Sequence, residues 1–402
     1  MGSIRARRCV FVKRESWNHH NVYKNGGARA VSLYESKPYT VIRKRRLSDA
    51  VVEMTVYAPR VAAKCQAGQF FMVRAWERGE RVPFTFCDWS RDEGWVRFIF
   101  MVVGKTTSML ADLEVGECVR DVAGPLGRPT LGKVEVVSSG CSGGLPELAD
   151  GRPVLSDGRP EAGEPQRPTH LSGLAPGGRV AVVGGGVGAA VAFPVARALC
   201  EAGMRVRVIV GARTAELLIL EDELRGLPLE ELRIVTDDGS AGRKGLVTAP
   251  LHELCGAGLV DHAFIVGPAI MMKFAAATAL EAGVPTTVSL NPLMIDGTGM
   301  CGACRVTIDG ATKFACVDGP DFAAASVDWG ELMSRQRSYL DDERLAHGLW
   351  QYEQLEVARG ERERGRERLH ANCDCFDMDV DEDAVEAMAA DDDADDEGGE
   401  DE

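Results

Sequence analysis

Short apolar runs alternate with helix-like segments through residues 179–290, and this alternation restricts the fold more than any other feature of the chain. Strands that alternate with helices of this length form a parallel, doubly wound sheet with helices on both faces. Such a sheet binds its ligand at the carboxyl ends of the strands. We predict strands at 180–183, 206–210, 232–235, 263–266 and 286–290, and helices at 187–202, 215–224, 249–255 and 269–282.

A glycine-rich turn follows the first strand of this predicted sheet. It contains Gly184, Gly185, Gly186 and Gly188 and runs directly into a helix of small residues. Such glycines let a diphosphate approach backbone amides and the positive end of the helix, which favours a nucleotide site. Tight packing also selects glycine, and the acidic residue expected about twenty positions later is missing. The second strand ends instead at Arg213, which suits either a 2′-phosphate or solvent.

Residues 37–132 have the pattern of a small antiparallel barrel. Apolar or alternating runs of strand length lie at 39–43, 50–57, 69–74 and 95–103, and turn residues separate them. Repeated short strands with such punctuation are typical of an all-β unit, in contrast to the alternation that follows. The chain therefore combines a β-barrel with an α/β domain.

Three segments of the predicted barrel carry groups that suit a phosphorylated cofactor. On one strand, every second residue is Arg81, Pro83 and Thr85, so a cation and a hydroxyl lie on one sheet face. Phe84 belongs to the same motif. Each segment taken singly also fits an ordinary strand end or helix cap. The other two segments offer consecutive amides, hydroxyls and glycines, and they consist of Gly104, Lys105, Thr106 and Thr107, and of Gly124 and Gly127.

The loop after the last predicted strand carries four ligand-capable side chains. Its spacing, Asp296-x4-Cys301-x2-Cys304-x11-Cys316, is that of a plant-type [2Fe–2S] loop with the first thiolate replaced by a carboxylate. Interspersed glycines let the backbone fold tightly and point amides at the sulfurs. A structural zinc site and inert buried thiols remain alternatives, although zinc usually takes two CxxC pairs or a CxxC with a histidine pair.

Composition describes a globular protein of several domains. The 402 residues are 45% hydrophobic, which allows more than one core. The 12 cysteines are mostly scattered singly outside the loop, so they indicate a reducing, cytoplasmic environment instead of a disulfide framework. No apolar run of 18 residues is present, so no membrane insertion is expected.

Charge is concentrated at the two ends of the chain. The net charge is −15, but 16 of the 61 acidic residues lie in 374–402, which leaves 45 acidic against 46 basic residues elsewhere. The nearly neutral body gives no reason to expect nucleic-acid binding. The basic first residues lack the apolar core of a secretory signal. A transit-like leader fits them, and so does a start codon placed too far upstream.

These patterns divide the chain into six segments. The first and last are predicted to be disordered, because their composition cannot bury enough apolar surface. The segments are a basic arm (1–36), an antiparallel barrel (37–132), an insertion or linker (133–177), a nucleotide-binding domain (178–290), a [2Fe–2S] loop with a C-terminal packing segment (291–355) and a charged, acidic tail (356–402).

The chain resembles the ferredoxin–NADP reductase-like flavoproteins. Among them it is most similar to the electron-transfer subunits of dihydroorotate dehydrogenase and to the alpha subunits of NADH-dependent reduced ferredoxin:NADP oxidoreductases. An aspartate as first cluster ligand favours the second group, because the first group has a cysteine there. The residues that carry the resemblance are Arg81 to Thr85, 103–107, Gly124 to Gly127, Gly184 to Gly188, Gly267 with Pro268, and Asp296 to Cys316.

The resemblance implies three cofactors and a partner. FAD would lie in the barrel, NAD(H) against the parallel sheet with Gly267 and Pro268 near the nicotinamide, and a [2Fe–2S] cluster in the loop. Electrons would pass from nicotinamide through flavin and cluster to a larger flavin- and iron–sulfur-bearing oxidoreductase subunit, and no catalytic acid, base or nucleophile would be needed. An alternative of another class is a regulatory or binding module that keeps the fold without cofactors. The leader, the insertion and the acidic tail have no counterpart in the family.

Overall fold

A computed structural model describes residues 37–77, 79–131, 171 and 174–358 of the chain. It separates two compact units, Met1–Tyr339 and Leu340–Glu402. The predicted basic arm, most of the predicted insertion and most of the acidic tail lie outside the described residues. Among the described residues, no helix is both long and apolar enough to cross a membrane.

The first part of the larger unit is an antiparallel barrel made of two sheets. The strands form where β-branched and aromatic residues alternate, and Phe71, Phe86 and Phe98 pack together in the core. The elements are β1 (Val41–Ser48), β2 (Val51–Tyr57), α1 (Pro59–Ala62), β3 (Phe70–Arg74), β4 (Arg81–Thr85), β5 (Asp88–Ser90), β6 (Trp95–Met101), α2 (Lys105–Asp112) and β7 (Asp121–Leu126).

The two barrel sheets have the strand orders β1-β2-β6-β5 and β4-β3-β7. Strand β4 therefore lies at a sheet edge, where a proline is tolerated because no ladder hydrogen bond is lost on its open side. The sequence runs at 39–43, 50–57, 69–74 and 95–103 correspond to β1, β2, β3 and β6. Strand β5 was missed because three residues are too short to show a period.

The second part of the larger unit is a parallel sheet flanked by helices. All five predicted strands are present, and the carboxyl ends of the parallel strands meet at one edge. The elements are β8 (Arg179–Gly185), α3 (Ala189–Glu201), β9 (Arg205–Ala212), α4 (Glu221–Arg225), β10 (Glu231–Thr236), β11 (Arg243–Lys244), α5 (Thr248–Gly256), β12 (His262–Val266), α6 (Ala269–Glu281) and β13 (Thr286–Ser289), with 3₁₀ turns at Gly186–Gly188 and Ala215–Leu217.

The C-terminal part of the larger unit completes this sheet. Its residues supply the antiparallel edge strand in the order β11-β10-β9-β8-β12-β13-β16 and a small hairpin. The elements are β14 (Arg305–Ile308), β15 (Ala311–Phe314), α7 (Ala315–Asp318), β16 (Asp321–Ala323), a 3₁₀ turn (Ala324–Ser326) and α8 (Trp329–Gln336). The smaller unit contributes α9 (Leu340–Ala358).

One helix differs from the sequence expectation. The predicted helix at 215–224 is broken, because Leu220 adopts a left-handed conformation (φ 61°) between a 3₁₀ turn and α4. Leu171, in the segment predicted as an insertion or linker, is buried in a hydrophobic core. Leu332 of α8 belongs to the same hydrophobic core as the buried residues of the parallel sheet.

Ion pairs join the barrel to the parallel-sheet domain. Arg97 on β6 contacts the buried Glu53 at 3.1 Å and Glu223 of α4 at 3.5 Å, while Asp88 on β5 contacts Arg197 of α3 at 2.8 Å. Burial lowers the pKa of Arg97, but the neighbouring Cys87 and the carboxylates of Glu53, Asp88 and Glu223 outweigh it, so its pKa is raised. The pairs Arg97–Glu223 and Asp88–Arg197 therefore connect the barrel to helices of the parallel-sheet domain, and we call this boundary the seam. Glu53, which is almost inaccessible, holds Arg97 from the barrel side.

Candidate functional site

A cavity of about 1280 Å³ lies between the barrel and the carboxyl edge of the parallel sheet. Its walls bring together segments that are far apart in the sequence. The sequence-predicted residues that line it are Pro83, Phe84, Thr85, Thr107, Gly185, Gly186, Gly188, Arg213, Gly267 and Pro268. The barrel motif and the glycine-rich turn thus face one cleft, which is large enough for two cofactors.

Strand β4 forms the barrel wall of this cleft. Phe84 is held in place by stacking on Phe98, with ring centroids 5.1 Å apart. Arg81, at the start of the strand, does not line the cavity, and its Nε lies 3.8 Å from Oδ1 of Asp121. The guanidinium is therefore oriented by a carboxylate while its other donors remain available to a phosphate.

The N-terminus of α2 forms a second part of the barrel wall. The hydroxyl oxygen of Thr107 accepts the amides of Val103 and Gly104, at 3.0 and 3.1 Å, and so caps the helix. The backbone amides of the first turn of α2, which begins at Lys105, have no acceptor within the helix. This turn also carries no acidic residue. Lys105 and Thr106 do not line the cavity. This helix end suits an anionic group.

Gly124 and Gly127 lie behind the wall instead of in it. A Cβ at Gly124 would meet Cβ of Phe71 at 2.7 Å, and one at Gly127 (φ +73°) would meet the Phe70 ring at 2.9 Å. Close packing of β7 on β3 therefore requires both glycines. Their assignment to cofactor binding remains a prediction.

The glycine-rich turn after β8 has the geometry of a phosphate-binding turn. A Cβ at Gly188 would lie 2.6 Å from the carbonyl oxygen of Val266, so this glycine permits close strand packing. Gly186 has a positive φ of +55°, and a Cβ added there would meet no atom within 4 Å, so its backbone is open to the cleft. Gly184 lies beneath the turn, against Ala189 and Ala192. The first turn of α3 carries no acidic residue.

The cleft walls also contain Arg213, which the sequence predicted, and several groups that sequence reasoning missed. Arg213 at the end of β9 is exposed and forms no salt bridge within the described part of the chain, and Asp237 lies near it on the cavity wall. Helix α6 adds Ile270 and Phe274, which are 52% and 58% exposed. Their i, i+4 spacing in a predicted helix was the available signal. Ser289, at the end of β13, also lines the cleft.

The cluster loop follows β13 and folds through left-handed glycines. Gly297, Gly299 and Gly302 have φ of +80°, +83° and +71°. Cys304 and Cys316 are buried with their sulfurs 3.1 Å apart, whereas Cys301 is exposed. No disulfide is formed among the described cysteines.

Backbone amides converge on the exposed thiol of this loop. The amide of Ala303 and those of Asp296 and Ile295 hydrogen-bond to Cys301 and lower its pKa. Burial and the neighbouring Cys304 raise the pKa of Cys316 to about 12, so a bound metal would have to provide the charge that stabilises its thiolate.

The donor set of the loop fits a two-iron cluster. Among the described residues, no three His, Cys, Asp or Glu side chains surround a single ion position. A cluster with two irons takes its protein ligands in pairs, and Cys304 with Cys316 forms such a pair. Asp296 adjoins Cys301 through its backbone amide, its carboxylate accepts the Thr298 hydroxyl, and its role as a ligand stays a prediction.

The loop packs directly on strands β3 and β7 of the barrel. A Cβ at Gly297 would meet Met72 of β3 at 2.8 Å and Leu126 of β7 at 2.9 Å. Met72 is paired with Pro83 across β3 and β4. Paired residues on neighbouring antiparallel strands are about 5 Å apart, so the loop contacts the residue next to Pro83, and Pro83 lines the cleft.

Comparison with known proteins agrees with this arrangement. Residues 291–328 match the iron–sulfur cluster binding domain of dihydroorotate dehydrogenase B. A Thermotoga maritima homologue of the dihydroorotate dehydrogenase B (NAD(+)) electron transfer subunit is 39% identical over 307 residues, which cover 76% of this chain and 93% of the relative. The corresponding Desulforamulus reducens subunit is 30% identical over 279 residues, covering 68% and 90%.

A solved structure of NADH-dependent reduced ferredoxin-NADP oxidoreductase gives the same result in three dimensions. It superposes with a TM-score of 0.64 and 37% identity, covering 78% of this chain and 98% of the other. The expected fold is thereby confirmed: a ferredoxin reductase-like barrel, a parallel nucleotide-type sheet and a C-terminal iron–sulfur segment. Such a fold with this domain is that of an oxidoreductase electron-transfer subunit. The chain therefore belongs to the family of the dihydroorotate dehydrogenase B electron transfer subunits and their homologues.

Proposed function

We propose that this chain binds FAD, NAD(H) and a [2Fe–2S] cluster and transfers electrons between a nicotinamide and a larger oxidoreductase subunit in the cytoplasm. The observation that supports this most directly is that Gly297 of the cluster loop packs on Met72 opposite Pro83 of the cleft. When bound, the flavin exchanges two electrons with a nicotinamide and single electrons with a cluster.

The protein's own residues have binding and orienting roles in this function. Arg81 and the amides of α2 would hold the flavin's diphosphate, while Phe84 and Thr85 form the wall beside its ring. The turn around Gly186 would hold the diphosphate of NAD(H). Apolar walls on both sides exclude water from the space where the two rings meet.

The type of partner is the finer part of the proposal. Asp296 at the first ligand position supports a partner of the NADH-dependent reduced ferredoxin:NADP oxidoreductase type, in accord with the 37% identical structure. A second candidate partner is a dihydroorotate dehydrogenase, which the match over 291–328 supports. Purification with the native partner, followed by assays with dihydroorotate and with NADP and reduced ferredoxin, separates the two.

The cofactor assignment is tested by visible spectroscopy after anaerobic reconstitution with FAD, iron and sulfide. We expect flavin bands and a broad red iron–sulfur absorbance, both bleached by NADH. Cys304→Ser should lose the red absorbance and keep the flavin bands, while the matched control Cys255→Ser, a buried cysteine on α5, should keep both. A colourless reconstituted protein would contradict the proposal.

The carboxylate ligand needs its own test. Asp296→Cys should retain the cluster with an altered reduction potential, since a thiolate replaces an oxygen donor. Asp296→Ala should change the electron paramagnetic resonance signal of the reduced cluster. An unchanged signal in Asp296→Ala would show that Asp296 is not a ligand.

A further inference from the structure

Asp321 is a buried carboxyl that the proposed function leaves unexplained. It lies on β16, where its Oδ2 accepts a hydrogen bond from the Thr130 hydroxyl at 2.6 Å. The residue as a whole is half-buried, but its Oδ1 is inaccessible to solvent and has no hydrogen-bond partner among the described residues. An unpartnered buried carboxyl oxygen is costly, so its retention calls for a reason.

The neighbour of Asp321 that reaches the cleft is Ser289. The two residues are paired across β13 and β16, and Ser289 lines the cavity. Burial raises the pKa of Asp321 to about 6, although the Thr130 and Ser289 hydroxyls act to lower it. The carboxyl therefore changes charge close to neutral pH, beside a hydroxyl on the cleft wall.

Within the described part of the chain, no charged group contributes to this titration. Arg128 and Asp318 on the flanking segments approach each other at 4.0 Å, and neither perturbs Asp321. His262 on β12 is bonded to Thr287 at 2.9 Å, two residues before Ser289 on the same strand. Burial and the two hydroxyls thus set the protonation of Asp321.

We propose that Asp321 is a positioning residue that acts through Ser289 and sets whether the Ser289 hydroxyl donates to or accepts from the heterocyclic ring bound in the cleft. The ionised carboxylate accepts the Ser289 hydrogen, so the serine presents lone pairs to the ring. The protonated carboxyl donates to the Ser289 oxygen, which frees the serine hydrogen for a ring nitrogen or carbonyl. Thr130 donates to Oδ2 in both states.

This inference rests on the proposed cofactor site, and its first test uses the apoprotein. Infrared difference spectra should show a protonated carboxyl band that titrates near pH 6 in the wild type. Asp321→Asn should lose the band. Ser289→Ala and the control Asp309→Asn, an exposed carboxylate in the β14–β15 turn, should keep it. A wild type without the band contradicts the inference.

The second test follows the absorption of bound FAD between about pH 5 and pH 8, a range that brackets the carboxyl titration. We expect an inflection near pH 6 in the wild type and in Asp309→Asn, and none in Asp321→Asn or Ser289→Ala. An inflection that appears only after NAD⁺ is added assigns the contact to the nicotinamide instead of the flavin.

Two outcomes would overturn the inference without touching the proposed function. They are an inflection that persists in Ser289→Ala, and a wild-type flavin that ignores pH with and without NAD⁺ while the apoprotein carboxyl still titrates. Bleaching of the wild-type flavin by NADH tests the proposed function separately. Should Asp321→Asn not fold, Ser289→Ala alone decides: loss of the inflection supports the coupling and its persistence excludes it.

Discussion

The buried carboxyl of Asp321 makes the stability of the apoprotein depend on pH, and Asp321→Asn should remove this dependence. Its pKa rises from 3.8 to about 6 on folding, mainly by burial. Each pKa unit corresponds to about 1.4 kcal/mol, so the ionised group disfavours the folded state by about 3 kcal/mol at neutral pH. Because the native state binds the proton more tightly, stability is lost as pH rises through the interval between these two values.

The assay is urea unfolding of wild type and Asp321→Asn at two pH values. Linkage predicts that about 2 kcal/mol of the difference between the two proteins develops between about pH 4.5 and about pH 7.5, in favour of the asparagine variant. The asparagine keeps an acceptor for the Thr130 hydroxyl, so that hydrogen bond is retained. Other titrating groups are common to both proteins and cancel in the comparison. Equal differences in unfolding free energy at both pH values would refute a raised pKa for Asp321.

Three further substitutions test the seam and the glycine turn. Arg97→Met should lower the unfolding free energy by roughly 3 kcal/mol in urea melts, because it leaves the buried Glu53 without its better-buried partner; a loss below about 1 kcal/mol would mean that solvent screens the pair. Gly188→Ala should destabilise the protein strongly, since its Cβ would overlap the Val266 carbonyl. Gly186→Ala should cost only about 1 kcal/mol of backbone strain while weakening NADH binding in fluorescence titrations; equal destabilisation by both alanines would contradict the distinction.

Much of the fold followed from local pattern. Strands β8, β9, β10, β12 and β13 were visible because buried strands of a parallel sheet are continuous apolar runs. The short strands β5, β11 and β16 were not visible, because two or three residues show no period and they form only where a neighbouring strand offers its edge. Leu220, whose left-handed conformation breaks a predicted helix, shows the same tertiary override of a local preference.

The candidate site divides in the same way. The glycine-rich turns, the β4 motif and the cysteine spacing were visible in the sequence, since each is a local pattern, and the cofactor roles of their residues stay predictions. The sequence could not show that Gly124 and Gly127 pack behind the wall, or that Phe274 and Asp237 reach the cleft, because these facts depend on which elements meet.

The sequence by itself determined the order of the parts, namely a barrel, a nucleotide-type sheet and a cysteine loop, because hydrophobic period and ligand spacing are local properties. Only the tertiary structure decided how these parts are joined. It seats the cluster loop on Met72 behind the flavin-type motif and completes the parallel sheet with β16. It also buries Asp321 beside Ser289, although the two are 32 positions apart in the chain. Long-range pairing fixes burial, and burial sets the protonation of Asp321.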